Sequence, residues 1–313
     1  MKGLELSRRY YESFGMPMIR EQFPEYEEII AAGLTGSGSE CYGYDDDISQ
    51  DHDFEPGFCL FIPGEEIVDR KTEFQLERAY AKLPREFEDF SRAKLAPVGG
   101  NRHGVFRIDD FFLNKIGCIP EKMTVEDWLS VPDYALAEAV NGEMFRDDAG
   151  LMEDPRRILR NMPEDVRRKR LAGHLLMMAQ SGQYNYRRCL YHGETGAAQM
   201  AASEFARHAM ATAFLLSGRY MPYYKWAFRA LRELPEGEEL AVTLEWLIST
   251  GNGPDMAEDK YFQMEGIASR VIETLQDQHL TEATCGDLEK HAYSVNDGIG
   301  DGNVRNLNIL SCV

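Results

Sequence analysis

The sequence predicts an α+β fold: an N-terminal unit built on a small β-sheet with flanking helices, then an all-α helical bundle. Three observations carry this reading. Short apolar runs bounded by glycine, proline or acidic residues punctuate the first part, at 29–34, 58–62 and 105–108. Beyond about Asp133 strand signals nearly vanish and helical periodicity takes over. The connectors of that second part are short and contain Gly, Pro or Asn, as connections within bundles do. The expected domains are 1–135 and 136–313, with a boundary near 130–150 and no low-complexity linker.

Taken in order, 4–14 reads as a first helix and 24–32 as a second, with proline in its first turn and Gly33 at its end. Pro17 breaks the pattern between them. A strand enters the turn at Gly36, and 37–44 either begins a helix or stays irregular. Residues 52–62 read as a strand stopped by Pro63-Gly64. The amphipathic stretches 72–83 and 85–93 read as helices, 97–101 as a loop and 105–108 as a strand. Asp109 can cap a helix running to Ile116. Thr124, with Asp127 three residues on, is a capping-box variant heading 124–129. Helices then follow at 155–160, 165–180, 197–216, 223–234, 238–249, 257–278 and 281–298.

Composition bounds the function. The hydrophobic fraction of 43% across 313 residues is slightly under the usual ~45–50% and allows a buried core. No apolar run approaches the ~20 residues that span a bilayer. The first residues, MKGLELSRRYYESFG, lack a signal-peptide apolar region, so a cytoplasmic location is expected. A net charge of −19, from 53 acids against 34 bases, argues against whole-molecule attraction to nucleic acid or an anionic membrane. A local cluster runs against that trend: Arg156, Arg157, Arg160, Arg167, Arg168, Lys169 and Arg170. It reads as a solvated face paired with surplus acids, or as an acceptor or nucleic-acid surface. The six cysteines include no C-x-x-C pair and are expected to be reduced and structural.

The informative stretch is GLTGSGSECYGYDDDISQDHDFEPGFCLFIP, 33–63. Gly36-Ser37-Gly38-Ser39 is a compact turn. Glycine admits the positive φ angles that let backbone approach an anion, and free amides then favour phosphate; the alternative is a plain loop. Asp51 and Asp53 stand one residue apart. On a strand, residues i and i+2 share a face, so the two carboxylates could hold one divalent cation beside phosphate oxygens. The alternative is a solvated acidic loop within Asp45, Asp46, Asp47, Asp51, Asp53 and Glu55. His52 would point the other way.

The order Leu34-Thr35-Gly36-Ser37 then Asp51-His52-Asp53 resembles the signature of the DNA polymerase β-like nucleotidyltransferase superfamily, which includes aminoglycoside and lincosamide nucleotidyltransferases. GSGSE with S-x-D-H-D, GEMFRDDAG (142–150), Arg157-Ile158-Leu159 and RYMPYYKW (219–226) are similar to the bacterial family known as domain of unknown function 4037. The resemblance implies a nucleotidyltransferase-like mixed β-sheet. It implies that Gly36, Ser37 and Ser39 contact nucleotide phosphates and that Asp51 and Asp53 bind magnesium, one ion or two. It implies a third carboxylate on a later strand, for which Asp109 and Asp110 are the candidates; the alternative for Asp109 is a plain helix cap. Here Gln50 separates Ser49 from Asp51, a departure from the superfamily's Ser-Asp-x-Asp.

In the helical half, Lys225 lies among aromatics and could steady a triphosphate, or snorkel from a packing corner. Arg219 is a weaker second candidate. Asp147 and Asp148 could line an acceptor pocket, or cap a helix. His174 and His208 read as core histidines. The expected activity is magnesium-dependent transfer of a nucleoside monophosphate, AMP first, from a triphosphate such as ATP to a hydroxyl of a small-molecule acceptor, with the helical domain on the acceptor side of a cleft. The alternatives are a non-catalytic nucleotide-binding relative and a toxin-like transferase acting on RNA or protein.

Overall fold

The computed structural model describes residues 1–49, 54–92 and 102–313. The fold is α+β. The chain forms two compact units, Met1–Met123 with Ala135–Asn161, and Thr124–Tyr134 with Met162–Val313.

The first unit is built on β1 (Ala31–Leu34), β2 (Cys59–Ile62), β3 (Glu86–Phe87), β4 (Phe90–Ser91), β5 (Gly104–Arg107) and β6 (Glu143–Arg146). Four of these make a mixed sheet in the order β5-β2-β1-β6. β1 runs antiparallel to both β2 and β6, and β2 runs parallel to β5. Both central strands are buried along their whole length. Alternation sorts their side chains. Leu60 and Ile62 enter a core with Tyr10, Ile19, Leu76 and Tyr80. Phe61 faces the other way and packs edge-on against Phe111, ring centroids 5.2 Å apart.

Helices α1 (Gly3–Tyr10), α2 (Met16–Gln22), α3 (Ser39–Tyr42), α4 (Arg70–Ala81), α5 (Ile108–Ile116), α6 (Val125–Ser130), α7 (Asp133–Val140) and α8 (Glu153–Arg160) follow in chain order, α6 and the first two residues of α7 belonging to the second unit. Thr124 and Asp127 form the expected capping box on α6. Four local expectations are corrected. Pro17 does not end the first helix: a π turn, Tyr11–Gly15, leads into α2, where the proline sits in the first turn and its missing amide is tolerated. Residues 24–32 are not a helix. Pro24–Tyr26 is a single 3-10 turn, and Ala31 and Ala32 join β1, because pairing with strands on both sides overrides alanine's helix preference. Residues 86–91 form the β3–β4 hairpin, because Phe87 stacks on Tyr10 and Phe14 and Phe90 on Phe54. The second central strand is confined to β2, and 54–58 before it is irregular.

The second unit holds α9 (Glu164–Met178), which passes through a π segment, Ala179–Asn185, into α10 (Tyr186–Tyr191). α11 (Thr195–Leu216), α12 (Tyr224–Leu231), α13 (Gly237–Ser249), α14 (Pro254–Asp277), α15 (Leu288–Asp297) and α16 (Gly302–Asn306) follow. Leu171, Leu175, Phe205, Ala209, Ala292 and Val295 are buried in its interior. The basic cluster is not a single solvated face. Lys169 is fully buried and donates to Asn296 Oδ1 at 2.8 Å, Leu307 O at 2.7 Å and Arg305 O at 3.1 Å. Arg170, 3% exposed, donates to Trp128 O at 2.6 Å and pairs with Asp133. Arg157, Arg167 and Arg168 pair with acids on their own helices. Among the described residues no helix is long and apolar enough to cross a membrane.

His174 on α9 and His208 on α11 face each other in the core, Nδ1 to Nδ1, at 2.8 Å. Burial pushes both below the ordinary histidine range, His208 to about 4, with Arg207 adding to the effect there and the His208 ring adding at His174. The folded unit therefore refuses protons that an unfolded chain accepts near pH ~6.5. Stability is present above that pH and is lost as pH falls toward 4. Urea unfolding of the wild type should lose on the order of 3 kcal/mol through His208 across the window, with His174 adding in the same direction. The double variant His174→Leu/His208→Leu should show a shallower fall. Parallel pH dependences in the two proteins would remove the pair as the cause.

Candidate functional site

β1 ends at Leu34, and Thr35, Gly36, Ser37 and Gly38 turn the chain into α3. Gly36 has φ +113°, which a side chain rarely permits, and a β-carbon there would stand 3.2 Å from Lys115 Cε. Side chains from much later in the sequence fix this turn. Asn141, just beyond α7, accepts the Gly36 amide proton on Oδ1 at 2.8 Å and donates from Nδ2 to the Gly36 carbonyl at 2.8 Å. The Thr35 hydroxyl donates to Asn141 O at 2.9 Å.

Beside this clamp lies a charged triad. The Ser37 hydroxyl donates to Glu138 Oε2 at 2.6 Å. Lys115 Nζ donates to Ser37 Oγ at 2.7 Å and to Glu138 Oε2 at 2.9 Å. The Lys115 and Glu138 side chains are 17% and 20% exposed. The setting has low polarity: Cys41 and Cys59 are buried, and burial pushes the Cys59 thiol up to about 12 and Cys41 well up too. Burial likewise raises the Tyr42 phenol, with Glu138 the next cause.

The clamp is held in turn from behind. Arg156 of α8, 2% exposed, donates to Val140 O at 2.9 Å and also to Asn141 O. It thereby satisfies carbonyls that the end of α7 leaves open. Burial, with Arg160 nearby, pulls its guanidinium down to about 10. Gly142 follows with φ +66°, and a β-carbon there would sit 2.0 Å from Leu34 O. That close approach is what lets β6 pair with β1 while Asn141 faces Gly36.

The residues singled out by sequence separate. Gly36 and Ser37 lie in the triad and clamp. Ser39 opens α3, its hydroxyl 3.5 Å from Glu40 Oε2. Asp51 and Asp53 lie outside the described residues. Asp109 is exposed in the first turn of α5, whose N-cap is Arg107 rather than Asp109. Lys225 is exposed near the start of α12 in the second unit, its ammonium 4.9 Å from the centre of the Trp226 ring. Arg219 pairs with Glu233 at 3.6 Å and lines an apolar cavity of about 440 Å³ with Leu231, Leu234, Ile267 and Val271. Asp147 accepts the amides of Met152 and Glu153 at 3.0 and 2.8 Å and so caps α8, while Asp148 pairs with Arg146 at 2.5 Å. Asp45, read as part of a surface acidic run, is buried and accepts the Gly3 amide at 2.8 Å. Among the described residues no group of three acid, histidine or cysteine side chains stands ready to hold a metal ion.

Sequence reasoning missed Lys115, Glu138, Asn141 and Arg156. Asn141-Gly142 carries a helix-stop signal, but nothing in its spacing names Gly36, about a hundred residues earlier, as its partner.

Residues 128–227 match the family described as Domain of unknown function (DUF4037). The matched stretch contains GEMFRDDAG, RIL and RYMPYYKW, three of the segments that carry the resemblance in the sequence; GSGSE and S-x-D-H-D lie ahead of it. It also contains Glu138, Asn141, Gly142 and Arg156, so the DUF4037 region supplies the supports of a turn that lies ahead of it. No curated protein matches the chain. A solved structure, the nucleotidyltransferase-like protein from Exiguobacterium sibiricum 255-15, is similar over 90% of this chain and 90% of that chain, at 13% identity with a TM-score of 0.36.

If the Gly142 contact seats the clamp, Gly142→Ala should lower unfolding free energy by more than about 2 kcal/mol, since strain and a backbone clash combine. Gly193 has φ +74° with nothing within 4 Å of a β-carbon. Gly193→Ala should therefore cost only about 1 kcal/mol, the backbone contribution alone. Equal losses in urea unfolding would show that close approach at Gly142 is unimportant.

Proposed function

We infer that the protein is a magnesium-dependent nucleotidyltransferase that moves a nucleoside monophosphate, AMP in the first instance, from a triphosphate to a hydroxyl of a small-molecule acceptor. The observation that supports it is the Gly36–Ser37 turn: a positive-φ glycine at the end of a buried central strand, locked by Asn141 and carrying a partly buried ammonium and hydroxyl. A rigid turn of this kind loses little freedom when phosphate settles on it.

In this reading Gly36, Ser37 and Ser39 take the phosphates. Asp51 and Asp53, which precede β2 in the sequence, would hold magnesium; paired carboxylates are the hard oxygen donors that ion prefers. The ion would neutralise triphosphate charge and favour in-line displacement. The acceptor hydroxyl attacks the α-phosphorus, its proton leaves to a base, the bond to the bridging oxygen breaks and pyrophosphate departs. The surplus of acids, 53 against 34 bases, suits a cationic acceptor such as an aminoglycoside.

Calorimetry with ATP, GTP, CTP and UTP, with and without magnesium, tests this. Wild type should bind at least one triphosphate, and magnesium should tighten binding. Asp51→Asn/Asp53→Asn should lose that increment, at least about tenfold. Triphosphate binding that is absent, or indifferent to the double variant, would sink the assignment. Pyrophosphate release across an aminoglycoside panel then separates an enzyme from a binding module.

A further inference from the structure

We propose that Lys115 is the cation that grips phosphate at the Gly36–Ser37 turn, and that Glu138 is its resting counter-ion, displaced when phosphate arrives. The proposal rests on the nucleotide reading above and adds two residues to it.

The argument starts from charge. The Lys115 side chain is only 17% exposed, and an ammonium drawn out of water in this way needs an anionic partner. Glu138 provides one at 2.9 Å, and Ser37 Oγ completes the set at 2.7 Å. The ammonium therefore lies directly on the turn rather than in solvent. Gly36 contributes to this placement, since its missing side chain leaves room for the lysine's last carbon at 3.2 Å. A phosphate seated on the turn would offer oxygens to the same two donors, Lys115 Nζ and the Ser37 hydroxyl, that Glu138 now engages. One carboxylate oxygen accepts both bonds. Phosphate and Glu138 thus compete for one pair of donors, and a triphosphate brings more charge to that competition.

Competition dictates opposite signs for two adjacent substitutions. Lys115→Gln removes the grip. Glu138→Gln keeps a hydrogen-bond acceptor for Ser37 but removes the charge that phosphate must displace. The third-carboxylate role would instead make Glu138 a metal ligand, and it predicts a different outcome.

The experiment is calorimetry with ATP and with inorganic tripolyphosphate, each with and without magnesium, on the full chain. Lys115→Gln should weaken both ligands about ten- to hundredfold, the worth of a charge-assisted hydrogen bond. Lys115→Arg should restore most of the loss and guards against a folding defect, alongside circular dichroism of each variant. Glu138→Gln should tighten both ligands about three- to tenfold, with or without magnesium. In the Lys115→Gln background its effect should be smaller, because only the Ser37 hydroxyl is then left to contest. Wild-type affinity in a folded Lys115→Gln overturns the proposal. Weakening by Glu138→Gln only when magnesium is present also overturns it, in favour of a metal ligand. If wild type binds neither ligand, the nucleotide reading itself falls and takes this proposal with it.

Discussion

The two hydrogen bonds between the Asn141 amide and the Gly36 backbone join segments 105 residues apart, and much of the first unit is arranged to make them possible. Gly36 holds a backbone angle that other residues avoid, so the turn needs an external restraint to persist. Asn141 supplies that restraint with a donor and an acceptor at once. It can do so only because Gly142 lets the chain pass within touching distance of Leu34 and because Arg156 holds the neighbouring carbonyls. Loss of any one of these frees the turn to relax.

Cations in this acidic protein are used as internal fasteners. Arg156, Lys169, Arg170 and Lys260 are each nearly or fully buried. They bind mostly backbone carbonyls and amide oxygens, with Asp133 and Glu153 as the carboxylate partners. A long basic side chain can reach open carbonyls at helix ends and in loops and satisfy several of them from one atom. Lys169 does this for the segment after α16, Arg170 for the connector after α6, and Arg156 for the end of α7. Within 156–170 this accounts for Arg156, Lys169 and Arg170, whereas Arg157, Arg167 and Arg168 pair with acids on their own helices.

The DUF4037 stretch has a comparable character. Its GEMFRDDAG segment forms β6 and then an aspartate cap for α8, while Glu138 and Asn141 just ahead of it reach the glycine turn. The segment contributes a sheet edge, a cap and two site supports within a short length of chain. Lys115 arrives from α5, whose Phe111 packs under the sheet and thereby fixes the position from which the lysine extends.

Sequence alone determined the features that depend on near neighbours. The α+β class, the helices read at 72–83 and 197–216 and found at 70–81 and 195–216, the strand read at 105–108 and found at 104–107, and the Thr124 capping box all follow from periodicity and local capping chemistry. It also marked Gly36 and Ser37, because a glycine–serine turn between apolar segments is a local signal. Only tertiary structure decided the rest. The apolar run 29–34 announces a strand into the Gly36 turn, but Ala31 and Ala32 also suit the helix read at 24–32, and pairing with two flanking strands decides for β1. The hairpin at 86–91 depends on aromatic rings from residues 10, 14 and 54. Lys115, Glu138, Asn141 and Arg156 belong to the site through contacts across the fold, and no spacing in the chain encodes which distant backbone group a side chain will meet. Local propensity is set by a few adjacent residues, whereas a polar side chain's partner is set by where the sheet and helices bring the chain back together.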